Sequence, residues 1–421
     1  MVSCFMFKLP VGIAMVLAAV SGSLLGGYGI PIDQLIEGTF GYIDTILVIA
    51  TAMIFMKVIQ ESGALHSLNY LIINKFYKRP VIMLMLLMLM VMFPGMISGS
   101  STAAVLSSGA IVAPVFMTLG IPKDVTGAII AIGGILGMTA PPVNVPAMII
   151  GGGVDLPYVG FTVPLLLLTI PIAIFTVVYL GSKYVKDFDY NSIKDINVRT
   201  GEASQGGNYN LPIEERYGIK VYIPIILVLI LMVLSKLLPT IVPDLGMPLI
   251  FAIGSIVGLF TGEKVNIIKT TKEAIKDALP VLGILMGVGM FIQIMTLTGV
   301  RGFIVINSLS LPSILLYLGI AIVIPAFGAV SAFGSASILG VPFVLALLGK
   351  NEIITTASLS LIASLGDLVP PTALAGMFAA QVVGEPNYVK VLKKCLVPSI
   401  AILVWGLLFI IFAKEIGTII F

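Results

Sequence analysis

Two interruptions of a long apolar run decide the fold: Ser98-Gly99-Ser100-Ser101-Thr102 and Gly137-Met138-Thr139-Ala140-Pro141-Pro142-Val143-Asn144. Both lie within the stretch from Phe93 to Gly153. Backbone that leaves a helix inside hydrocarbon costs several kcal/mol for each unpaired polar group, unless protein, water or a bound solute satisfies it. The interruptions therefore mark a candidate solute site, although a flexible loop and an ordinary proline kink would give the same local pattern.

The same pattern returns in the second half of the chain. The pattern Gly-x-x-x-Pro-Pro that begins at Gly137 occurs again at Gly366, in the segment Gly366-Asp367-Leu368-Val369-Pro370-Pro371-Thr372. A serine- and glycine-rich segment, Gly334-Ser335-Ala336-Ser337, lies upstream of it, and we align this segment with the one at Gly99 to Thr102.

Residues near the start of the chain repeat at a different, constant spacing. Each of the following has an identical residue 236 positions later: Gly22, Glu37, Phe55 and Gly63. We interpret the chain as a duplication. Paired, Gly/Pro-interrupted apolar segments in two halves indicate the binding site of a secondary transporter near the bilayer midplane.

Composition excludes a soluble globular protein. Hydrophobic residues make up 58% of the chain and charged residues only 10%, whereas soluble domains carry about 25% charged residues. The mean hydropathy is +1.14. The prediction is an all-α polytopic membrane protein with two re-entrant hairpins and two broken transmembrane helices.

A membrane crossing needs roughly 20 apolar residues for a hydrocarbon core of about 30 Å. On that basis the first inverted repeat covers residues 1–181, and 182–245 form a polar cytoplasmic linker and a connecting helix near 218–239. The second repeat covers 246–421.

The first repeat is predicted to contain crossings at 9–29 and 41–60, an arm at 64–78, an inner hairpin at 80–118, a broken helix at 124–153 and a crossing at 160–181. The second is predicted to contain crossings at 246–262 and 277–297, an arm at 300–309, an outer hairpin at 312–348, a broken helix at 352–383 and a last helix at 395–413.

The distribution of basic residues predicts the orientation of the chain. Cytoplasmic loops collect Lys and Arg, and the predicted crossings place 19 of the 23 basic residues on one side. The remaining four are Lys236, Arg301, Lys350 and Lys414. We therefore expect a cytoplasmic N-terminus, an external C-terminus and two repeats of opposite orientation.

The interruptions have the chemistry of an ion and carboxylate site. A helix that begins in mid-membrane presents free N–H groups, which suit a carboxylate, and one that ends there presents carbonyls, which suit a cation. We predict that sodium is held at both interruptions, by Ser98, Gly137 and Thr139 in the first half and by Gly366 and Asp367 in the second. The predicted substrate-binding residues are Ser100, Ser101, Thr102, Asn144, Ser335, Ser337 and Thr372. No organic cofactor is expected, and sodium serves as the coupling ion.

Asp367 is the most informative single residue. A carboxylate at the bilayer centre costs at least ~2.5 kcal/mol, so it needs a cation or a proton. It is either a coupling-ion ligand or a protonated residue that ends a broken helix. Two other polar residues, Lys57 and Gln293, are assigned to scaffold helices, with Lys57 snorkelling to the interface.

Residues 95–151 resemble the large membrane subunit of tripartite ATP-independent periplasmic (TRAP) transporters, as does the following segment from Gly153 to Pro164. The resemblance implies a member of the wider ion-transporter superfamily, in which scaffold helices surround a transport domain that moves like an elevator. It also implies sodium-coupled import of organic acids, often C4-dicarboxylates or sugar acids. Its implied partners are a small membrane subunit and a periplasmic binding protein, and its implied location is the inner membrane of a bacterium or archaeon.

Two residues depart from that family's pattern. Ala104 stands where an acidic residue is common, and Asp367 where the family is usually apolar. These departures leave a stand-alone transporter as an alternative to the three-component system.

Three functions are therefore candidates for this chain. The first is sodium-coupled import of an organic acid, and the second is a proton- or sodium-coupled exchanger of the same superfamily. The third is an intramembrane aspartyl protease, which needs a second aspartate beside Asp367 to share one proton. Asp44 is the candidate for that second aspartate, although a protease would give the duplication no purpose.

Overall fold

The computed structural model describes residues 9–185, 217–237 and 245–421, except residues 310, 348 and 371. Most of the predicted linker, the last residues of the predicted connecting helix and Pro371 lie outside these ranges. The described part of the chain consists of helices joined by short turns, which confirms the predicted all-α class. By length and composition, seven of the described helices can cross a membrane.

The described residues of the first half form nine helices. They are α1 (Val11–Leu25), α2 (Ile32–Phe40), α3 (Ile43–Glu61), α4 (Ala64–Phe76), α5 (Pro80–Ser98), α6 (Ser101–Thr118), α7 (Lys123–Thr139), α8 (Val145–Gly152) and α9 (Thr162–Val185). A π turn at Val105–Gly109 lies within α6.

The connecting helix and the second half supply ten more helices in the described ranges. They are α10 (Ile223–Leu237), α11 (Gly246–Thr261), α12 (Ile267–Leu297), α13 (Val300–Leu309), α14 (Ser313–Gly328), α15 (Ala332–Ala346), α16 (Glu352–Ser364), α17 (Leu374–Val383), α18 (Tyr388–Ile411) and α19 (Ala413–Ile420). The second π turn, Ala336–Gly340, lies within α15.

Helices α1, α2, α3, α10, α11 and α12 form one packed unit, which we call the scaffold. Its centre is α12, which packs against α1, α2 and α3. Glycines let the helix backbones touch, because a Cβ on Gly38 would lie 2.8 Å from the Gly289 carbonyl carbon. Small residues at helix contacts are the usual means of close packing in membranes, where lipid is as apolar as the side chains.

The predicted crossing at 41–60 agrees with α3, but the prediction missed α2 before it, and the predicted crossing at 277–297 is too short. Helix α2 precedes α3 with only Gly41 and Tyr42 between them, and α12 begins at Ile267. Together α2 and α3 match α12 at the constant spacing found near the start of the chain. The added turns carry acidic and basic side chains, which a rule based on apolar length assigns to loops. The last crossing likewise begins at Tyr388, and a short helix follows it.

Polar pairs join α12 to the helices that cross it. The Lys57 ammonium lies 3.3 Å from Glu273 and 3.7 Å from Asp277. Gln293 donates a hydrogen bond of 2.8 Å to Glu37. Because Glu37 and Glu273, and likewise Lys57 and Gln293, are related by the same constant spacing, the two pairs are equivalent by the duplication. Lys57 is thus part of an ion pair, which supports the structural role predicted for it, and its snorkelling to the interface stays a prediction.

Helices α5 to α9 and α14 to α18 form a second packed unit, which we call the transport unit. Its two hairpins are hairpin 1 (α5 and α6) and hairpin 2 (α14 and α15). The broken helices are α7 with α8 and α16 with α17. Their starting residues, Lys123 and Glu352, are 229 positions apart, as are Val145 and Leu374. This register agrees with the predicted duplication, and α4 and α13 lead from the scaffold to the two hairpins.

Contacts at the ends of the helices join residues that the predicted orientation places on the same side. Arg301 donates a hydrogen bond to the Gly153 carbonyl on the side predicted to be external. Lys123 lies 3.4 Å from the Gly384 carbonyl oxygen on the side predicted to be cytoplasmic. The assignment of these sides to the cell exterior and the cytoplasm stays a prediction.

Candidate functional site

The tip of hairpin 1 is a tight turn that serine side chains hold. Gly99 has a positive φ of 65°, and Ser100 Oγ accepts a hydrogen bond of 3.2 Å from the Ala103 N–H to cap α6. Ser98 Oγ donates to the Pro94 carbonyl at 2.7 Å and accepts from the Ser100 N–H at 3.3 Å. Ser98 and Ser100 therefore build the turn itself. Thr102 is half-buried, and its hydroxyl makes no hydrogen bond within the described chain.

The first break, residues 140–144, separates α7 from α8 and contains the cis Pro141-Pro142 bond. Asn144 is fully buried and holds this break together. Its side-chain oxygen Oδ1 accepts from the Ala147 N–H at 2.9 Å, and its side-chain Nδ2 donates to the Thr139 carbonyl at 2.8 Å and to Ser360 Oγ at 2.9 Å. The side chain thus caps α8 and also connects the break to α16.

Hairpin 1 lies directly against the first break. A Cβ on Gly95 would lie 2.8 Å from the Gly137 carbonyl carbon, so both backbones approach closely only because they are glycine. The Val143 N–H donates to the Met96 carbonyl at 3.1 Å. Thr139 directs its hydroxyl to the Ile135 carbonyl at 3.1 Å. The predicted sodium ligands Ser98, Gly137 and Thr139 therefore belong to one packed region.

Hairpin 2 turns earlier than the sequence alignment placed it. Its tip is at residues 329–331, where Ser331 Oγ accepts from the Gly334 N–H at 3.1 Å and caps α15. Ser335 and Ser337 lie inside α15 and donate to the carbonyls of Ile324, at 2.6 Å, and Gly334, at 2.9 Å. The alignment by composition missed Ser331. A serine placed before a helix as its N-cap is the signal that identifies it.

The second break covers residues 365–373, beginning with a 3-10 turn at Leu365–Leu368. Gly366 and Gly328 touch through their backbones, which brings hairpin 2 against this break. Thr372 donates its hydroxyl to the Ala329 carbonyl. Ala373 occupies the position equivalent to Asn144 and has a φ of 38°, and it gives α17 no side-chain cap.

The two halves of the chain meet where Ser101 donates a hydrogen bond to the Asp367 carboxylate. Asp367 is only 8% exposed, and Ser101 is its only side-chain partner among the described residues. This contact brings the tip of hairpin 1 to the second break, 266 residues away in sequence. Asp44 is exposed on α3 and makes no hydrogen bond to Asp367, so the pair of aspartates that a protease needs is not formed.

Two residues outside the predicted site join the transport unit to the scaffold and to α13. Tyr42 OH donates a hydrogen bond of 2.8 Å to the Ile149 carbonyl near the end of α8. The guanidinium of Arg301, at the start of α13, donates to the Gly153 carbonyl just after α8. Cations and donors near the C-terminal end of a helix are favoured by its exposed carbonyls. We call these two bonds the α8 latch.

The family comparison gives the decisive observation on identity. Residues 1–416 match the family described as the tripartite ATP-independent periplasmic transporter, DctM component. The chain belongs to the DctM family. The resemblance read from the sequence is therefore confirmed, and the chain is the large component of a secondary transporter and a multi-pass protein of the inner membrane. DctM membership implies a small membrane subunit and a periplasmic binding protein as partners.

Solved structures support the fold of this DctM chain. The YdaH transporter of Alcanivorax borkumensis is similar with a TM-score of 0.68 and 14% identity, covering 97% of this chain and 99% of its own. MtrF of Neisseria gonorrhoeae, described among antimetabolite efflux pumps, is similar with a TM-score of 0.66 and 13% identity. The match covers 96% of this chain and 95% of MtrF. At these identities the likeness concerns the fold alone. A comparison with curated protein sequences finds no match.

Proposed function

We propose that this chain is the permease component of a sodium-coupled importer of organic acids, and that its transport unit moves against the scaffold as an elevator. The contact that carries the proposal is the hydrogen bond between Ser101 and Asp367. It joins a hairpin of one repeat to a broken helix of the other at a nearly buried carboxylate. An acidic group at that depth needs a cation, a proton or hydroxyl donors.

Sodium is the coupling ion that the surrounding groups favour. Hydroxyl, carbonyl and carboxylate oxygens are the ligands that hard cations prefer. Ser98, Gly137 and Thr139 lie in one packed region at the first break, and Asp367 and Gly366 share the second. In this proposal the acid binds between the hairpin tips. The N-terminal ends of α8 and α17 supply the partial positive charge that a carboxylate needs.

An elevator movement fits the division of the chain into two packed units. The scaffold is held internally by glycine contacts and by the pairs of Lys57 and Gln293, and the transport unit by its own glycine contacts. Helices α4 and α13 lead from one unit to the other, and rigid-body movement about such connections is an ordinary form of conformational change. The site would then cross the membrane with the transport unit.

Uptake in proteoliposomes tests this proposal. The chain is reconstituted with its small membrane subunit and supplied with its binding protein, and uptake of radiolabelled organic acids is driven by a sodium gradient or by a proton gradient alone. We expect accumulation only with sodium outside at a higher concentration, with choline as the control cation. Accumulation that follows the proton gradient and ignores sodium would reject sodium coupling.

A second candidate is an exchanger in which Asp367 carries a proton. The observation that favours it is that the only side-chain partner of this carboxylate among the described residues is the neutral hydroxyl of Ser101. In that case the proton gradient alone drives exchange of internal for external substrate. The same vesicles, preloaded with unlabelled acid, distinguish the two mechanisms.

A further inference from the structure

A cleft opens where helix α13 leaves the scaffold, on the side predicted to be external. Its volume is about 440 Å³, within the range of roughly 300–1,000 Å³ that is usual for ligand sites. Its lining includes Thr296 of α12, Arg301, Val305 and Ile306 of α13, and Leu345 of α15. Because α13 also packs against the end of α15, the cleft borders both the scaffold and hairpin 2.

The surface of α13 around this cleft is apolar and exposed. Phe303 and Ile306 are each 69% exposed, and Val300 and Leu309 are also exposed. These side chains lie on several sides of the helix, so the described residues leave much of α13 uncovered. Apolar surface of this kind on a membrane protein contacts lipid or a protein partner.

The equivalent arm of the first repeat, α4, is covered by the chain itself. Helix α4 begins after Gly63 and α13 begins after Gly299, and both glycines have a positive φ, of 83° and 73°. Ser67 of α4 shares a hydrogen bond of 2.8 Å with the hydroxyl of Tyr222, which ends the turn before α10. Leu65 beside it is fully buried. The duplication therefore leaves one arm covered by protein and the other arm open.

Arg301 stands at the position equivalent to Leu65, so the open arm carries a cation where the covered arm carries a leucine. Its guanidinium has several N–H donors. One of them binds the Gly153 carbonyl, and no described carboxylate forms an ion pair with it. A Cβ on the neighbouring Gly302 would have no atom within 4 Å. Open space therefore lies beside a cation, and an arginine is suited to bind a phosphate there.

We propose that this cleft binds an anionic phospholipid, with the lipid phosphate on Arg301 and an acyl chain along Val305, Ile306 and Leu345. One cation beside apolar walls matches an amphipathic anion, and basic pockets beside membrane helices hold anionic lipid headgroups. The bound lipid would occupy the junction between the scaffold and hairpin 2. It would also contact the residue whose other hydrogen bond is part of the α8 latch.

Quenching of tryptophan fluorescence by brominated lipids tests the proposal. The chain contains a single tryptophan, so Trp405→Phe combined with Phe303→Trp places the only reporter beside the cleft. The protein is reconstituted in phosphatidylcholine nanodiscs that contain brominated phosphatidylglycerol or brominated phosphatidylcholine. We expect phosphatidylglycerol to bind about tenfold more tightly at this reporter, the order expected for a hydrogen bond with a charged group. The control reporter Ile314→Trp, on an exposed position of α14 outside the cleft, should not distinguish the two lipids.

Variants of the cleft identify the groups that hold the lipid. Arg301→Gln should remove the preference for phosphatidylglycerol, and Arg301→Lys should keep part of it because the charge remains. Gly302→Leu should also remove it, because the new side chain fills the open space and leaves the cation in place. Gly283→Leu on α12 is the matched control, since its added Cβ also meets no atom within 4 Å. Tyr42→Phe should keep the preference, because it breaks the other bond of the α8 latch and leaves the cleft intact.

Three results would overturn the proposal. The first is equal quenching by the two lipids at Phe303→Trp. The second is a preference that persists unchanged in either Arg301→Gln or Gly302→Leu, because the lipid would then be held elsewhere. The third is loss of quenching by both lipids when the small membrane subunit is added, which would make this face a protein interface. If Arg301→Gln does not fold, Gly302→Leu and the reporter comparison decide the result.

Discussion

Asp367 is the residue on which ion coupling is expected to depend. Asp367→Asn keeps the size of the side chain and its hydrogen bond with Ser101 but removes the negative charge. Cation-driven uptake should fall about ten- to hundredfold, the range for losing an interaction with a charged group. Uptake in proteoliposomes measures the effect, with Asp44→Asn as the control because Asp44 is an exposed acid on the scaffold. Unchanged ion dependence in Asp367→Asn would show that the coupling ion binds elsewhere.

Gly366 is expected to be essential for stability because its backbone touches that of Gly328. Gly366→Ala forces hairpin 2 away from the second break and should destabilise the protein by about 1–3 kcal/mol, the usual range for overpacking. Thermal unfolding in detergent measures it. Gly319→Ala, on α14 of the same hairpin, is the control, since its added Cβ would lie 4.0 Å from the nearest side-chain atom. Equal unfolding temperatures for the two variants would contradict the close contact.

Among the elements, the end of α8 accepts one bond from the scaffold, from Tyr42, and one from the arm α13, from Arg301. Tyr42→Phe and Arg301→Gln each remove one bond of the α8 latch. Each should shift the distribution between two positions of the transport unit about two- to tenfold, as expected for one hydrogen bond. Spin labels at the exposed positions Asp33, on the scaffold, and Asp155, after α8, measure the distance between the two units in nanodiscs.

Two matched variants control for side-chain loss at the latch. Tyr179→Phe removes a hydroxyl from an exposed tyrosine, and Lys350→Gln removes a cation that binds the Ile411 carbonyl within the transport unit at 2.6 Å. Both should keep the parent distance distribution. Latch variants that also keep it would show that these bonds do not hold the conformation, and a single distance in every variant would argue against the elevator.

The helices could be predicted from the sequence wherever apolar length or a Gly/Pro interruption marked them. Helix α2 and the start of α12 were not predicted, because they contain charged residues such as Glu37 and Glu273 and a criterion based on apolar length excludes such turns. The tip of hairpin 2 was misplaced because composition alone aligned Ser335 with the first tip, whereas capping places Ser331 there. The bond between Ser101 and Asp367 has no local signal, since only tertiary packing brings together residues so distant in sequence. The sodium and substrate assignments stay predictions.

For the whole molecule, the distribution of basic residues predicts which surfaces face the cell exterior. Single cysteines at the exposed positions Asp155 and Lys414 should react with a membrane-impermeant maleimide on intact cells. Cysteines at Lys272 and Lys393, also exposed, should react only after the membrane is opened. Labelling of Lys393→Cys in intact cells would reverse the predicted orientation, because the positive-inside rule places it in the cytoplasm.

Residues at equivalent positions of the two repeats differ: Asn144 corresponds to Ala373, and Ser101, after the cap Ser100, corresponds to Ala332, after the cap Ser331. A carrier made of two identical halves would present the same chemistry to either compartment. Here one copy supplies the polar side chains and the other receives them, so the two openings of the pathway differ. The affinities for sodium measured from the outside and from the inside are therefore expected to be unequal. For the same reason, the two repeats could no longer replace each other without a change in function.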